Sequence, residues 1–537
     1  MSRKTKSIYG DLIKSSLMKE QPWLQAEKLP SYLPYFVGDL LLEQINNNSN
    51  QLIVGRRGTG KSHYFGAFKE WIIENEQNNL VIFLSCLDFS GTPDKYVNES
   101  PAFISAKYSR LLFKNFLRIF IDLLILQIDQ YFILLSSSLS NEALNKIKLV
   151  TDDKLLKLLQ LIEHGNNHDY SEIDHSQELE INVSRIRRSI IELLEFLKIK
   201  TLFVLIDEWA EIDKNLDYQI QPYFAQLLKI LLFNTNKIAV KIASVWKNTN
   251  LYDRDIMQKS KGIQLGEDIQ LGADLDVIFM DNEKSIMDFF KKMLFKRLGN
   301  LVPKLNEIKD FSNYEDFFIS ELFDNESNFK ALVAASHGIP RDFLEIFYQC
   351  SLKISHDFKN DCIHKGIIRT VSKDIYLVEL RKRLEKNSDA HKLWELINDY
   401  MERTSQRFFI IINDEEKRSH LVKKLVDEEF IHPIPSSLIP RIIRDKYKMY
   451  QINYGNFIDW FRNNKTINPD ILEESILPLV PENFKDIFEN YIITLNSLNT
   501  TFIYCHHCKK SFPKEHPVFQ RFSSCPICAD EIDLNVK

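Results

Sequence analysis

Residues Leu52-Ile53-Val54-Gly55-Arg56-Arg57-Gly58-Thr59-Gly60-Lys61-Ser62 decide the fold. A short apolar run leads into the spacing G-x-x-x-x-G-K-S, and a helix-like stretch opening with His63 follows. This order predicts a strand, a phosphate-binding loop and a helix. Glycines let backbone N–H groups curl around phosphates, and the helix N-terminus adds its positive dipole end. Lys61 supplies a point charge for the β- and γ-phosphates, and the Ser62 hydroxyl a ligand for Mg²⁺. The binding set is Gly55, Arg56, Arg57, Gly58, Thr59, Gly60, Lys61, Ser62 and His63. Glycine is scarce, 15 of 537 residues, so three at these intervals stand out from background. The expected ligand is a nucleoside triphosphate.

Downstream, Leu202-Phe203-Val204-Leu205-Ile206-Asp207-Glu208 is an apolar strand ending in two carboxylates. At the C-terminal edge of a parallel sheet such a strand ends beside the phosphate loop, where ligands collect. Asp207 is then the Mg²⁺ carboxylate, and Glu208 the base that orients or deprotonates the attacking water. A chain that only bound nucleotide would not need the second carboxylate. A third apolar strand, Ile238 to Val245, ends in Trp246-Lys247-Asn248-Thr249. Asn248 is the first candidate for a polar group near the γ-phosphate, and Ser244 the second. Strands alternating with helices predict a mainly parallel α/β sheet covered on both faces.

Composition narrows the class. Apolar residues make up 44% and charged residues 27%, the balance of a globular protein with roughly three to four domains. A net charge of −5 gives no overall pull toward nucleic acid or membrane, so any such surface is local. The basic N-terminus has no apolar segment after it, which argues against a signal peptide. Leu111 to Leu135 is strongly apolar but carries Lys114, Arg118, Asp122 and Asp129, so it reads as a buried helix rather than a membrane span. With Cys86, Cys350 and Cys362 as scattered thiols, a reducing, cytoplasmic setting is expected.

In Ser336-His337-Gly338-Ile339-Pro340-Arg341-Asp342, Gly and Pro set a turn and Arg341 projects from the first turn of a helix. An Arg beside a helix's positive end is unfavourable and calls for another partner, such as a γ-phosphate. Over about residues 30–380 these motifs together resemble the AAA+ ATPases, nearest to the origin-recognition-like group and its prokaryotic relatives in mobile elements and anti-phage defence. By that resemblance Tyr35-Phe36-Val37 either packs against adenine or belongs to the core. The resemblance implies that Arg341 is the lid arginine sensing the nucleotide, and that an arginine acts in trans in a nucleotide-dependent homo-oligomer. Arg254, Arg185, Arg187 and Arg188 are candidates for the last role. The catalytic set is then Lys61, Glu208, Asn248 and Arg341.

The expected organisation is an N-terminal segment (1–29), an ATPase core (30–280) with a helical insertion (101–200), and a helical lid (281–385). A region of mixed helix and strand follows (386–465), then a linker with a helix at Glu482 to Leu498 (466–499) and a cysteine-rich tail (500–537). Residues 386–465 resemble a winged helix. Lys417, Arg418, Lys423, Lys424, Arg441, Arg444, Lys446 and Lys448 are its candidate contacts to double-stranded DNA, although acidic residues interleave with them. Cys505-x-x-Cys508 and Cys525-x-x-Cys528 have the spacing of two knuckles delivering four thiolates to one structural Zn²⁺. Expected cofactors are therefore ATP, Mg²⁺ and Zn²⁺. The function expected is an ATP-hydrolysing switch acting on DNA or a DNA-associated complex. The alternative is a nucleotide-gated scaffold controlling a separate effector protein.

Overall fold

The computed structural model describes residues 31–90, 101–166, 176–212, 220–254, 260–278, 283–301, 319, 322–356, 362–380, 388–404, 406–412, 422, 424–426, 428–434, 447–463, 492–493, 502–504 and 511–513. The chain divides into two compact units, Met1–Leu322 with Ile339–Tyr348, and Phe323–Gly338 with Gln349–Lys537. The region expected as one lid is thus shared between them.

The first unit is built on strands β1 (Gln51–Val54), β2 (Asn79–Ser85), β3 (Thr201–Asp207) and β4 (Ile238–Ser244). A short antiparallel pair, β5 (Tyr252–Arg254) and β6 (Ser260–Gly262), precedes β7 (Gln270–Asp274). The main sheet runs β2-β3-β4-β1-β7, and every neighbouring pair is parallel. β4 lies between the phosphate-loop strand β1 and the acidic strand β3. β3 and β4 are buried along their whole length, which is why their sequences are mainly apolar runs rather than alternating ones, interrupted in β4 by Lys241.

Side chains alternate across the sheet with period 2. Leu52, Val54, Leu202, Val204 and Ile206 enter one core, and Ile53, Phe203, Leu205 and Ala239 the other. The first core is closed by the long helix Pro101–Leu135, the helices Asn141–Asn166 and Ser176–Phe196, and Gln221–Leu232. In Pro101–Leu135 the buried positions Leu112, Phe116, Phe120, Leu124 and Ile128 recur every four residues, so the charges read in the sequence fall outside that stripe. Among the described residues no helix is long and apolar enough to cross a membrane. The second core is closed by α1 (Asp39–Ile45) and α2 (Lys61–Asn75).

The second unit has its own core, with Leu393, Ile397, Tyr400, Phe409, Leu425, Phe430 and Ile452. Its sheet contains β8 (Phe408–Ile412), β9 (Ile431–Pro433), β10 (Tyr447–Ile452) and β11 (Ile492–Ile493), in the order β11-β8-β10-β9. Within the helix expected over Glu482 to Leu498, the two described residues depart from expectation: Ile492 and Ile493 form a strand parallel to Ile410 and Ile411 of β8, and the rest of that stretch lies outside the described residues. Two apolar β-branched residues fit either period, and pairing with β8 decided it. The helix Lys365–Ile375, within the stretch expected to be helical, and the helix Tyr454–Asn463, which was not foreseen, pack against each other. Lys424 and Lys448 are exposed; Lys417, Arg418, Lys423, Arg441, Arg444 and Lys446 lie outside the described residues. The last strands, β12 (Phe502–Tyr504) and β13 (Ser511–Pro513), form an antiparallel pair. Cys505, Cys508, Cys525 and Cys528 also lie outside the described residues.

Candidate functional site

Strand β1 delivers the phosphate loop to the C-terminal edge of the sheet. Gly58 and Gly60 take positive φ values of 83° and 93°, a conformation that costs an L-residue roughly 1–2 kcal/mol. A Cβ on Gly60 would meet nothing within 4 Å, whereas one on Gly58 would collide with Ile339 and Arg341 at 2.8 and 2.9 Å. The two glycines therefore serve different ends. Gly60 keeps the cradle open at the N-terminus of α2, and Gly58 admits the Ile339–Arg341 segment, whose Arg341 N–H donates to the Gly58 carbonyl at 3.2 Å.

Lys61 Nζ donates to the Gly55 and Arg56 carbonyls, each at 2.8 Å. Burial lowers its pKa to about 8, against the pull of the Asp207 and Asp276 carboxylates. Arg56 is clamped by Asp276, with its backbone N–H at 2.9 Å from one carboxylate oxygen and Nε at 2.8 Å from the other. Asp276 follows β7, so the loop is tied to the far strand of the sheet. Arg57 pairs with Glu211 at 2.5 Å.

Asp207 ends β3 and is buried. One of its oxygens accepts the Glu208 N–H at 2.8 Å. Glu208 is left-handed, with φ 57°, a conformation kept in proteins mainly where surrounding structure enforces it. Its carboxylate accepts the Ser85 hydroxyl at 2.5 Å. Ser85 is the register partner of Asp207 on β2.

One cavity of about 490 Å³ collects these groups. Residues 57–64 of the loop and α2 line it, with Asp207, Glu208, Glu211, Ser244 and Arg341. Tyr35, Phe36, Val37, Phe289, Met293, Arg297 and Leu344 also line it. Ser244 is the register partner of Val54, immediately before the loop, and its hydroxyl accepts from Thr249 Oγ1 at 2.6 Å. Asn248 is buried behind the strand end, where its carbonyl accepts from Gln221, and it does not line the cavity. Of the two polar candidates on this strand end, it is Ser244 that meets the cavity. Gly55 and Arg56 do not line the cavity. Arg185 and Arg188 are exposed, and Arg187 donates to the Phe233 carbonyl at 3.5 Å.

The residues fit a nucleotide with its metal. Ser62 and Asp207 form an all-oxygen donor pair, which suits Mg²⁺. The open loop, a helix N-terminus and Lys61 suit phosphates. Sequence reading missed Ser85, Asp276 and Arg297, since each reaches the site from a distant segment with no motif of its own, and Glu211, which lies three residues past Glu208.

No protein-family model matches the chain, and no curated protein matches it. Among solved structures it is similar to the Walker-type ATPase of Pyrococcus abyssi, with 14% identity, TM-score 0.34, and 83% of this chain and 99% of that chain covered. It is similar to the Aeropyrum pernix ORC1 protein in complex with DNA at 10% identity and TM-score 0.31, covering 83% and 98%. A structure of Drosophila ORC bound to DNA follows at 11% and 0.27, covering 78% and 83%. Likeness of this size assigns no reaction.

Proposed function

We propose that the chain is an ATP-binding and ATP-hydrolysing molecular switch of the AAA+ kind. The observation that carries this reading is the meeting of the Gly-Lys-Ser loop with Asp207, Glu208, Ser244 and Arg341 around one cavity. The phosphate loop and Lys61 bind and orient the triphosphate, with Lys61 exchanging its two carbonyl partners for phosphate oxygens. Ser62 and Asp207 hold Mg²⁺, which when bound neutralises charge on the phosphates. Glu208 takes the proton of the attacking water once it leaves Ser85, and Ser244 orients polar groups beside it. Arg341 adds positive charge from the Ile339–Arg341 turn, so that turn responds to the γ-phosphate.

Glu208→Gln tests this reading: ATP and Mg²⁺ binding is retained while hydrolysis falls by about two orders of magnitude, the usual contribution of a positioned base. Hydrolysis at the wild-type rate would leave Glu208 a strand-end carboxylate.

The switch's output is proposed to be DNA or a DNA-associated complex, supported by the exposed Lys424 and Lys448 in the second unit. Faster ATP turnover with double-stranded DNA is the expected result. Turnover that responds to a partner protein and not to DNA would instead support the scaffold reading. The tail is proposed to hold Zn²⁺ through Cys505, Cys508, Cys525 and Cys528. Support comes from their spacing and from the antiparallel pair β12–β13, whose strands bracket Cys505 and Cys508 in the sequence.

A further inference from the structure

His63, the third residue of α2, lines the cavity. The residue is 8% exposed. Phe36 stacks on it at 5.8 Å and 19°, and Tyr32 meets it edge-on at 5.6 Å and 75°. Tyr32 reaches this position because Gly66, one turn along α2, has no side chain: a Cβ there would fall 2.5 Å from the Tyr32 ring.

The aromatic strap is anchored from both directions. Glu70 accepts the Ser31 hydroxyl at 2.7 Å and the Tyr32 and Leu33 N–H groups at 2.9 and 2.8 Å. Lys296 Nζ donates to the Phe36 carbonyl at 2.6 Å. Such anchoring fixes a recognition surface before any ligand arrives, which reduces the ordering cost of binding.

Within this apolar frame the imidazole is an unusual choice. Its Nδ1 is buried without a hydrogen-bond partner among the described residues. A neutral imidazole presents one donor and one acceptor. A Phe or Leu would pack here without burying an unpaired nitrogen, which is costly unless something pairs with it. The chain holds the imidazole against the wall of a ligand cavity instead.

We propose that His63 reads the base of the bound nucleoside triphosphate, its imidazole hydrogen-bonding the edge of a purine that packs among Tyr35, Phe36, Met293 and Leu344. This rests on the nucleotide reading of the same cavity and adds to it the group that recognises the base. A purine is the class favoured because its two fused rings bury more apolar and aromatic surface in this slot than a single pyrimidine ring. His63 is thus a specificity-determining residue, separate from the phosphate machinery.

The test is equilibrium binding to the full-length protein with Mg²⁺, by displacement of a fluorescent ATP analogue. Competitors are ATP, CTP and inorganic tripolyphosphate, the last having phosphates and no base. Wild type is expected to bind ATP at least tenfold more tightly than CTP and than tripolyphosphate. His63→Phe keeps the ring stack and should lose about tenfold in ATP affinity. His63→Gln keeps a donor and an acceptor and should lose threefold or less. Tripolyphosphate affinity, unchanged in both variants, reports that the loop is folded. ATP binding by His63→Phe as tight as wild type, or a parallel loss of ATP and tripolyphosphate, overturns the proposal. Wild type that binds neither ATP nor tripolyphosphate overturns the nucleotide site itself, and this inference with it.

Discussion

The Ser85 hydroxyl donates to the Glu208 carboxylate at 2.5 Å, although its own register partner across the β2–β3 pair is Asp207. The left-handed turn at Glu208 brings this about, and the two adjacent acids are separated by it. Asp207 stays beside the phosphate loop while Glu208 is held toward β2. Ser85→Ala releases the carboxylate, and basal ATP turnover should rise about three- to tenfold. That is the scale of one hydrogen bond contributing about 1 kcal/mol to the ground state. Steady-state phosphate release measures it, and turnover equal to or below wild type would show that Ser85 does not restrain the base.

On the proposed function, Lys61 should make nucleotide affinity depend on pH. Burial sets its pKa near 8, and a bound triphosphate raises it by adding negative charge. The bound state therefore holds more protons above pH 8, and affinity falls as pH rises through that range, by up to tenfold per unit. Titration at pH 7, 8 and 9 in two buffers of different ionisation heat should show proton uptake at the higher values. Lys61→Met should bind weakly at all three and lose the pH trend.

Gly58 is required by space as well as by φ. Gly58→Ala would drive a Cβ into Ile339 and Arg341, so the Arg341 N–H···O contact to Gly58 is lost. We expect weaker hydrolysis together with a stability loss of about 1–3 kcal/mol, the usual cost of overpacking. Gly60→Ala has room for its methyl but not the backbone freedom, so it should impair binding with a smaller loss of stability. Thermal unfolding and ATP titration of both variants separate the two effects.

Lys241 sits fully buried in the middle of β4 and donates to the Asn47 and Ser49 carbonyls and to Gln51 Oε1. These bonds close the turn that leads into β1. Lys241→Met leaves the acceptors without this donor and should cost about 2–3 kcal/mol at pH 7. Burial lowers the lysine pKa to about 7 in the fold, below its unfolded value. The unfolded chain then binds more protons between about pH 7 and 10, and wild-type stability gains from Lys241 as pH rises through that window. Urea unfolding at pH 7 and 9 should show this gain shrinking in Lys241→Met.

The tail should carry one Zn²⁺ per chain. Replacing Cys505 and Cys508 together with Ser should release it while ATP binding persists, since the first unit has its own sheet and cores. Elemental analysis of the purified protein decides the first point. Loss of ATP binding with the metal would show that the tail supports the ATPase core.

The loop and strand ends that line the candidate site were legible because their signals are local. A Gly-Lys-Ser loop, an apolar strand ending in Asp-Glu, and a Gly-Ile-Pro-Arg turn each state their geometry within a few residues. Mainly apolar, non-alternating runs at β3 and β4 announced a sheet covered on both faces. Other features arise only when distant segments meet. Gln270 to Asp274 carries Gly272 and little apolar alternation, yet it completes the sheet beside β1. Ile492 and Ile493 become a strand only because β8 offers them an edge. The clamp of Asp276 on Arg56 spans 220 residues and the Ser85–Glu208 bond 123, distances over which no residue pattern specifies a partner. The choice between Ser244 and Asn248 rested on where β4 stops and the chain turns, and that is set by pairing with β1 in three dimensions.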